Sequence, residues 1–216
     1  MNDVKKLSEY IKQVELTNPS FCKIGDTADT LILSFGHTAH GGFASKKSLI
    51  NKKCENDNFD ILYMRDVEKK WYLCELTEIG DSFSDTLTFL KSVTSKYKNT
   101  IYIGSSMGGY ASILFASLLK GSTVIAQMPQ TDLEYILNND SCIDIFEPIK
   151  NKHSDVWNSY KNLNSIINDS TKYIMGGFDP NANVLHDLHH YKNIKSHANV
   201  KIPNKFDFVK EVNKHL

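Results

Sequence analysis

The residue types that can do covalent chemistry meet in one short stretch, Gly104-Ser105-Ser106-Met107-Gly108. It follows the apolar run Thr100-Ile101-Tyr102-Ile103 and precedes Gly109-Tyr110-Ala111-Ser112-Ile113-Leu114, so it reads as a turn from a buried strand into a helix. A serine at the tip of such a turn is presented outward. Its backbone bends sharply there, and Gly104 and Gly108 supply room two positions to either side. The helix that follows aims its first N–H groups at the same spot, which suits the Met107 amide to receive charge growing on a carbonyl oxygen. The chemistry implied is attack by Ser106 on an acyl or ester carbonyl. The plainer reading of the same glycines is close packing of helix on strand. A phosphate-cradling loop is disfavoured, because neither G-K-[ST] nor G-x-G-x-x-G occurs here.

Such a serine must be positioned by a scaffold, and the chain carries the pattern of one. Short runs rich in β-formers fall at 21–24, 30–35, 59–64, 100–103, 123–126, 173–175 and 200–202, several without polar alternation, as expected of strands buried on both faces. Helical periodicity marks 3–14 (Val4, Leu7, Ile11, Val14) and 82–97 (Phe83, Leu87, Leu90, Val93, Tyr97), and 109–119 is apolar nearly all round. Strand and helix alternate, which predicts an α/β domain, a doubly wound and mostly parallel sheet with its ligand site at the carboxyl ends of the strands. A single domain spanning 1–216 is expected. The Asn- and Lys-rich residues 138–168 are the expected place for a lid or cap excursion, although the helical 156–167 portion also suits packing on the sheet.

Three stretches resemble a known group: Gly104-Ser-Ser-Met-Gly-Gly-Tyr-Ala, Leu62-Tyr-Met-Arg-Asp-Val-Glu-Lys-Lys-Trp-Tyr-Leu, and Leu33-Ser-Phe-Gly. Together they resemble bacterial α/β-hydrolase-fold proteins often associated with surface-polysaccharide and glycosyltransferase genes. The resemblance covers roughly residues 30–131, with a weaker echo over 173–194. It implies an α/β-hydrolase-like three-layer sandwich with Ser106 as nucleophile, in a fold whose relatives include esterases and sugar O-acetyltransferases.

In that fold the loop after the strand at 30–35 donates a second oxyanion N–H, which assigns Gly36, His37 and Thr38 to the hole and favours the His37 amide. The His37 imidazole is itself a candidate to touch substrate. The acid is expected just past the penultimate strand, where Tyr173-Ile-Met-Gly-Gly-Phe-Asp179 places Asp179. Asp187 is the rival, with helix N-capping as its plainer job. A histidine is expected after the last strand, yet Pro203-Asn-Lys-Phe-Asp-Phe holds none, and His215 reads as a helix-end cation. The base must then come from elsewhere: His37 or His40 in the oxyanion loop, or His186, His189 or His190 beyond Asp179. Three readings stay open at this point, namely a relocated base, an altered triad, or a binding module that kept the fold without the chemistry. Arg65 and Asp66 fall at the same edge, as an anion site or an internal ion pair, and Trp71 and Tyr72 as a sugar-facing wall or core.

Bulk properties bound the rest. Lys plus Arg and Asp plus Glu both number 25, giving a formal charge of zero, so no broad basic surface is expected to neutralise nucleic acid. No apolar run reaches the roughly 18–20 residues a bilayer requires, and no signal-like h-region follows the N-terminus, so a cytoplasmic protein is expected. Cys22, Cys54, Cys74 and Cys142 lack zinc-type spacing. Neither metal nor cofactor is expected, and the anticipated substrate is a small-molecule or carbohydrate ester.

Overall fold

Runs of Leu, Ile, Val and Tyr that lack polar alternation form strands here because both faces of the sheet are covered. The computed structural model describes residues 20–23, 28–38, 59–76, 79–119, 121–139, 143–179, 181 and 186–215. Among the described residues seven strands make one sheet: β1 (Ser20–Lys23), β2 (Thr30–Phe35), β3 (Phe59–Met64), β4 (Asn99–Ser105), β5 (Thr123–Gln127), β6 (Lys172–Gly176) and β7 (Val200–Lys201). Their order is β1-β3-β2-β4-β5-β6-β7, with β1 antiparallel to β3 and every other pairing parallel. This is the doubly wound, mostly parallel α/β sheet read from the sequence.

The period-two pleat splits the core in two. Leu31, Leu33, Phe35, Leu62, Tyr102, Val124 and Tyr173 face one side, with helices α1 (Phe83–Thr94), α2 (Met107–Leu119), α3 (Leu133–Asn139), α4 (Ile143–Lys152), α5 (Ser154–Tyr160) and α6 (Leu188–Ile194). Ile32, Ile61, Ile101, Ile103 and Ile125 face the other, against Phe208 and Val212 of α7 (Phe208–Asn213). α2 is buried over nearly its whole length, which accounts for a sequence apolar all round.

β4 runs two residues beyond its expected apolar stretch at the carboxyl end, because ladder hydrogen bonding continues into Gly104 and Ser105 at the functional edge. α1 starts where Ser82 caps it by accepting the Asp85 amide, while Asp85 Oδ2 accepts the Ser82 hydroxyl at 2.7 Å. The 156–167 helical pattern breaks in two: Asn162 pairs with Asp132 in an isolated bridge and caps a 3-10 turn, Leu163–Ile166. Within 138–168, Phe146, Ile149, Trp157 and Leu163 are buried in the core, and the Phe146 ring contacts both Trp71 (4.6 Å) and Trp157 (5.6 Å). The N-terminal helix expected at 3–14 and His40 lie outside the described residues. Among the described residues no helix is long and apolar enough to cross a membrane.

One connection is organised by a buried charge. After β3 the chain turns through Lys69, Trp71 and Tyr72, all with positive φ (58°, 53° and 59°). Each left-handed non-glycine residue costs about 1–2 kcal/mol. Asp66, 5% exposed, offsets this by accepting the Tyr72 amide at 2.8 Å and the amides of Lys69 and Lys70. Of the two roles expected for Trp71 and Tyr72, the structure shows core, 2% and 0% exposed. Burial pushes the Asp66 carboxyl up to about 6. A raised folded-state value means that the folded protein binds the proton more tightly than the unfolded chain between about pH 4 and 6, so this group makes stability fall as pH rises through that window. Urea unfolding of wild type and Asp66→Asn at pH 4 and pH 7 is therefore expected to show the variant gaining on wild type by about 2–3 kcal/mol at the higher pH. An unchanged difference would rule this out.

Candidate active site

Ser106 sits where β4 stops and α2 starts, with φ at 54°. Its amide donates to Gln127 O of β5 at 2.9 Å and its carbonyl accepts the Tyr110 amide at 3.0 Å, so the strained residue is held from both sides. The flanking glycines serve close approach. A Cβ on Gly104 would lie 2.0 Å from Gly108 O, and one on Gly108 would lie 2.3 Å from Phe35 O and 2.9 Å from Gly36 O. The packing reading of these glycines is thus correct, and it is also what lets α2 start directly over the end of β4.

The same close approach brings in the loop after β2, the expected oxyanion donor. Phe35 pairs with Gly104 in parallel register, so the loop that carries His37 leaves β2 beside the end of β4 that leads into Ser106. Adjacent strands are about 4.8 Å apart. Gly36 offers no amide to a substrate, because its N–H donates to Met64 O at 2.9 Å; this corrects its expected place among the donors. Its carbonyl, with that of Met64, lies within reach of the Tyr72 hydroxyl (3.0 and 3.1 Å), whose phenol burial keeps protonated. The loop is therefore clipped to the Asp66-organised turn, a brace that pattern reading missed because its partners meet only in space. Met107 opens α2, where no preceding helical turn supplies a carbonyl to its N–H.

The histidines separate into three jobs. His186 Nε2 lies 3.0 Å from Ser106 Oγ, and burial alone lowers the basicity of its half-buried ring. His189 Nε2 is 3.0 Å from Asp132 Oδ2, with its ring stacked on Tyr135 at 3.7 Å. His190 is fully buried, its Nδ1 accepting the Thr131 amide at 3.2 Å. Each of the three rings thus meets a different partner. His37 is half-buried in its loop, and His215 ends α7 in contact range of its own last turn.

The acids are placed as follows. Asp179 is exposed; its amide donates to the His186 carbonyl at 3.4 Å and its Oδ1 accepts the Asn181 amide at 2.9 Å. Asp187 caps α6, accepting the His189 amide at 2.6 Å and the Tyr135 hydroxyl at 2.8 Å. Among the described residues the imidazole of His186 therefore meets the serine, while the two neighbouring carboxylates hold main chain.

No protein-family model and no curated protein matches the sequence. Solved structures do match in fold. A capsule O-acetyltransferase of Neisseria meningitidis serogroup A superposes with a TM-score of 0.58 at 18% identity, over 93% of this chain and 91% of that one. An S-formylglutathione hydrolase from Agrobacterium tumefaciens gives 0.57 at 10% identity, over 91% and 88%. An inhibited esterase B from Lactobacillus rhamnosis gives 0.56 at 11%, over 83% and 66%. By name these neighbours are an O-acetyltransferase, a hydrolase and an esterase, and this chain shares their α/β fold.

Gly108→Ala is expected to force the α2 start off the Phe35 carbonyl and lower stability by about 1–3 kcal/mol. Urea denaturation measures it; a variant as stable as wild type would show that the contact relaxes without cost.

Proposed function

We propose that this chain is a serine esterase or acyltransferase in which Ser106 is the nucleophile and His186 the general base. The observation that carries the reading is the 3.0 Å contact between His186 Nε2 and Ser106 Oγ at a strained strand-to-helix turn. A serine hydroxyl without a base in reach is a poor nucleophile at neutral pH. The histidine missing after β7 was what favoured a non-catalytic module, and the β6–α6 loop supplies one instead.

As Oγ attacks the carbonyl carbon, its proton passes to His186 Nε2. The oxyanion is received by the amides of Met107 and His37, aligned beforehand by the α2 start and the clipped loop. The imidazolium then protonates the departing alcohol and leaves an acyl group on Ser106. In the second half His186 takes a proton from water or from an acceptor hydroxyl, that oxygen attacks the acyl carbon, and Oγ recovers its proton. The cycle balances with no cofactor. Lowered basicity suits this work, because a ring whose charged form is disfavoured stays neutral, and so able to accept a proton, below the usual imidazole range.

Asp179 acts in this proposal by ordering the loop, through its amide on His186 O and its Oδ1 on the Asn181 amide. Asparagine keeps that oxygen, so the two roles for Asp179 separate in one variant.

Ser106→Ala is expected to lose both fluorophosphonate labelling and turnover of p-nitrophenyl acetate; equal labelling of variant and wild type defeats the proposal. His186→Ala is expected to lower kcat by about 10²- to 10⁴-fold, and Asp179→Asn to stay within about 10-fold of wild type. A loss in Asp179→Asn as large as that in His186→Ala would assign the carboxylate to the ring. Activity requires neutral His186, so kcat/KM should fall with decreasing pH only below about 6.5, the unperturbed imidazole value. An acid limb at or above that value contradicts the burial of the ring.

A further inference from the structure

Beyond the β6 and β7 ends lies a cavity of about 330 Å³ that the reaction described above does not use. Its walls come from Gly177 and Phe178 after β6, Leu188 and Tyr191 of α6, and Ile202, Pro203, Asn204 and Phe206 after β7. Phe178 and Tyr191 meet at a tilted 45° with centroids 6.0 Å apart, and the Lys195 ammonium lies 5.5 Å from the centre of the Tyr191 ring. The Phe206 ring covers Gly176 so closely that a Cβ there would stand 2.3 Å from it. No lining residue is charged, and Asn204 contributes an amide. The volume lies at the lower end of ligand pockets, about 300–1,000 Å³.

Location decides what such a cavity can hold. Gly176 pairs with Gln127, and Gln127 with Ser105, so the cavity floor lies two strands from the nucleophile, about 10 Å. The loop between is the one that carries His186: Phe178 precedes Asp179, whose amide holds the His186 carbonyl, and Leu188 follows two residues later. In acyl transfer the base must reach the oxygen that leaves or attacks, so the alcohol lies on the histidine's side of the serine. The cavity is on that side. The segment after β7, relieved of carrying a histidine, supplies its outer wall.

We propose that this cavity is the alcohol-side subsite and binds a neutral pyranose ring of a carbohydrate that gives or receives the acyl group on Ser106. The proposal rests on the Ser106–His186 reading. Aromatic faces match the apolar C–H faces of a sugar ring, and the Asn204 amide matches a hydroxyl. In the transfer step a sugar hydroxyl oxygen bonds to the acyl carbon as the carbon–Oγ bond breaks, and the hydroxyl proton passes through His186 to Ser106.

The test uses p-nitrophenyl acetate as donor and a panel of methyl pyranosides as acceptors: glucoside, galactoside, mannoside and their 2-acetamido forms. Acetylated sugar and free acetate are quantified together, giving the ratio of transfer to hydrolysis. At least one pyranoside should capture acetyl saturably and better than equimolar ethylene glycol. Phe178→Leu and Tyr191→Leu, which keep apolar bulk and remove the ring faces, should lower that ratio about 3- to 10-fold, mainly through the acceptor KM. No capture above ethylene glycol by any pyranoside, or capture unaffected by both variants, overturns the proposal. So does a selective rise in KM for p-nitrophenyl octanoate over the acetate in the variants, which would place an acyl chain there. Fluorophosphonate labelling of Ser106 separates the failures: labelled protein without sugar capture rejects the subsite alone, and unlabelled protein rejects the catalytic reading beneath it.

Discussion

The left-handed backbone of Ser106 is the constraint around which the carboxyl edge is built. A non-glycine residue at φ 54° is costly by itself, of the order of 1–3 kcal/mol, and persists only where its surroundings fix it. Here they do so from three directions: the amide is tied to β5, the carbonyl starts the α2 ladder, and Gly104 and Gly108 let helix and strand close to contact. Because α2 is buried nearly all round, the turn cannot relax without moving the largest core cluster. The strain also points the hydroxyl away from the sheet, toward the loop that carries His186.

A second device holds the opposite wall. Asp66 is expensive to keep charged where it lies, yet it gathers three amides of a turn with three left-handed residues and so delivers Tyr72 onto the carbonyls of Gly36 and Met64. Preorganised donors stabilise developing charge without reorganisation at the moment of reaction. The loop after β2 thus inherits its position from a buried carboxylate one strand away. The arrangement links a group that lowers stability above pH 4 to the geometry proposed for catalysis, a local cost of the kind often found at functional sites.

The relocation of the histidine follows from the same edge. Phe206 packs against Gly176, residues 202–206 hold no histidine, and His186 meets Ser106 instead. Asp179 and Asp187 bracket that loop. One ties its beginning through main-chain contacts, and the other caps α6 while Tyr135 stacks on His189 beside it. His186 is presented between two anchored points.

By itself the sequence determined whatever depends on neighbours along the chain. The strands Thr30–Phe35 and Phe59–Met64, the alternation of strand and helix, and the turn around Ser106 all follow from local periodicity and small residues at fixed spacing. It narrowed the base to a handful of histidines and the acid to two aspartates. Which histidine meets Ser106 needed tertiary structure, because His186 and Ser106 are 80 residues apart in the chain and lie 3.0 Å apart in the fold. The occupied Gly36 amide, the Asp66 brace and the aromatic cavity were hidden for the same reason. Each consists of groups distant in sequence, and a hydrogen bond or a cavity wall depends on where side chains arrive in space, which periodicity along the chain does not encode.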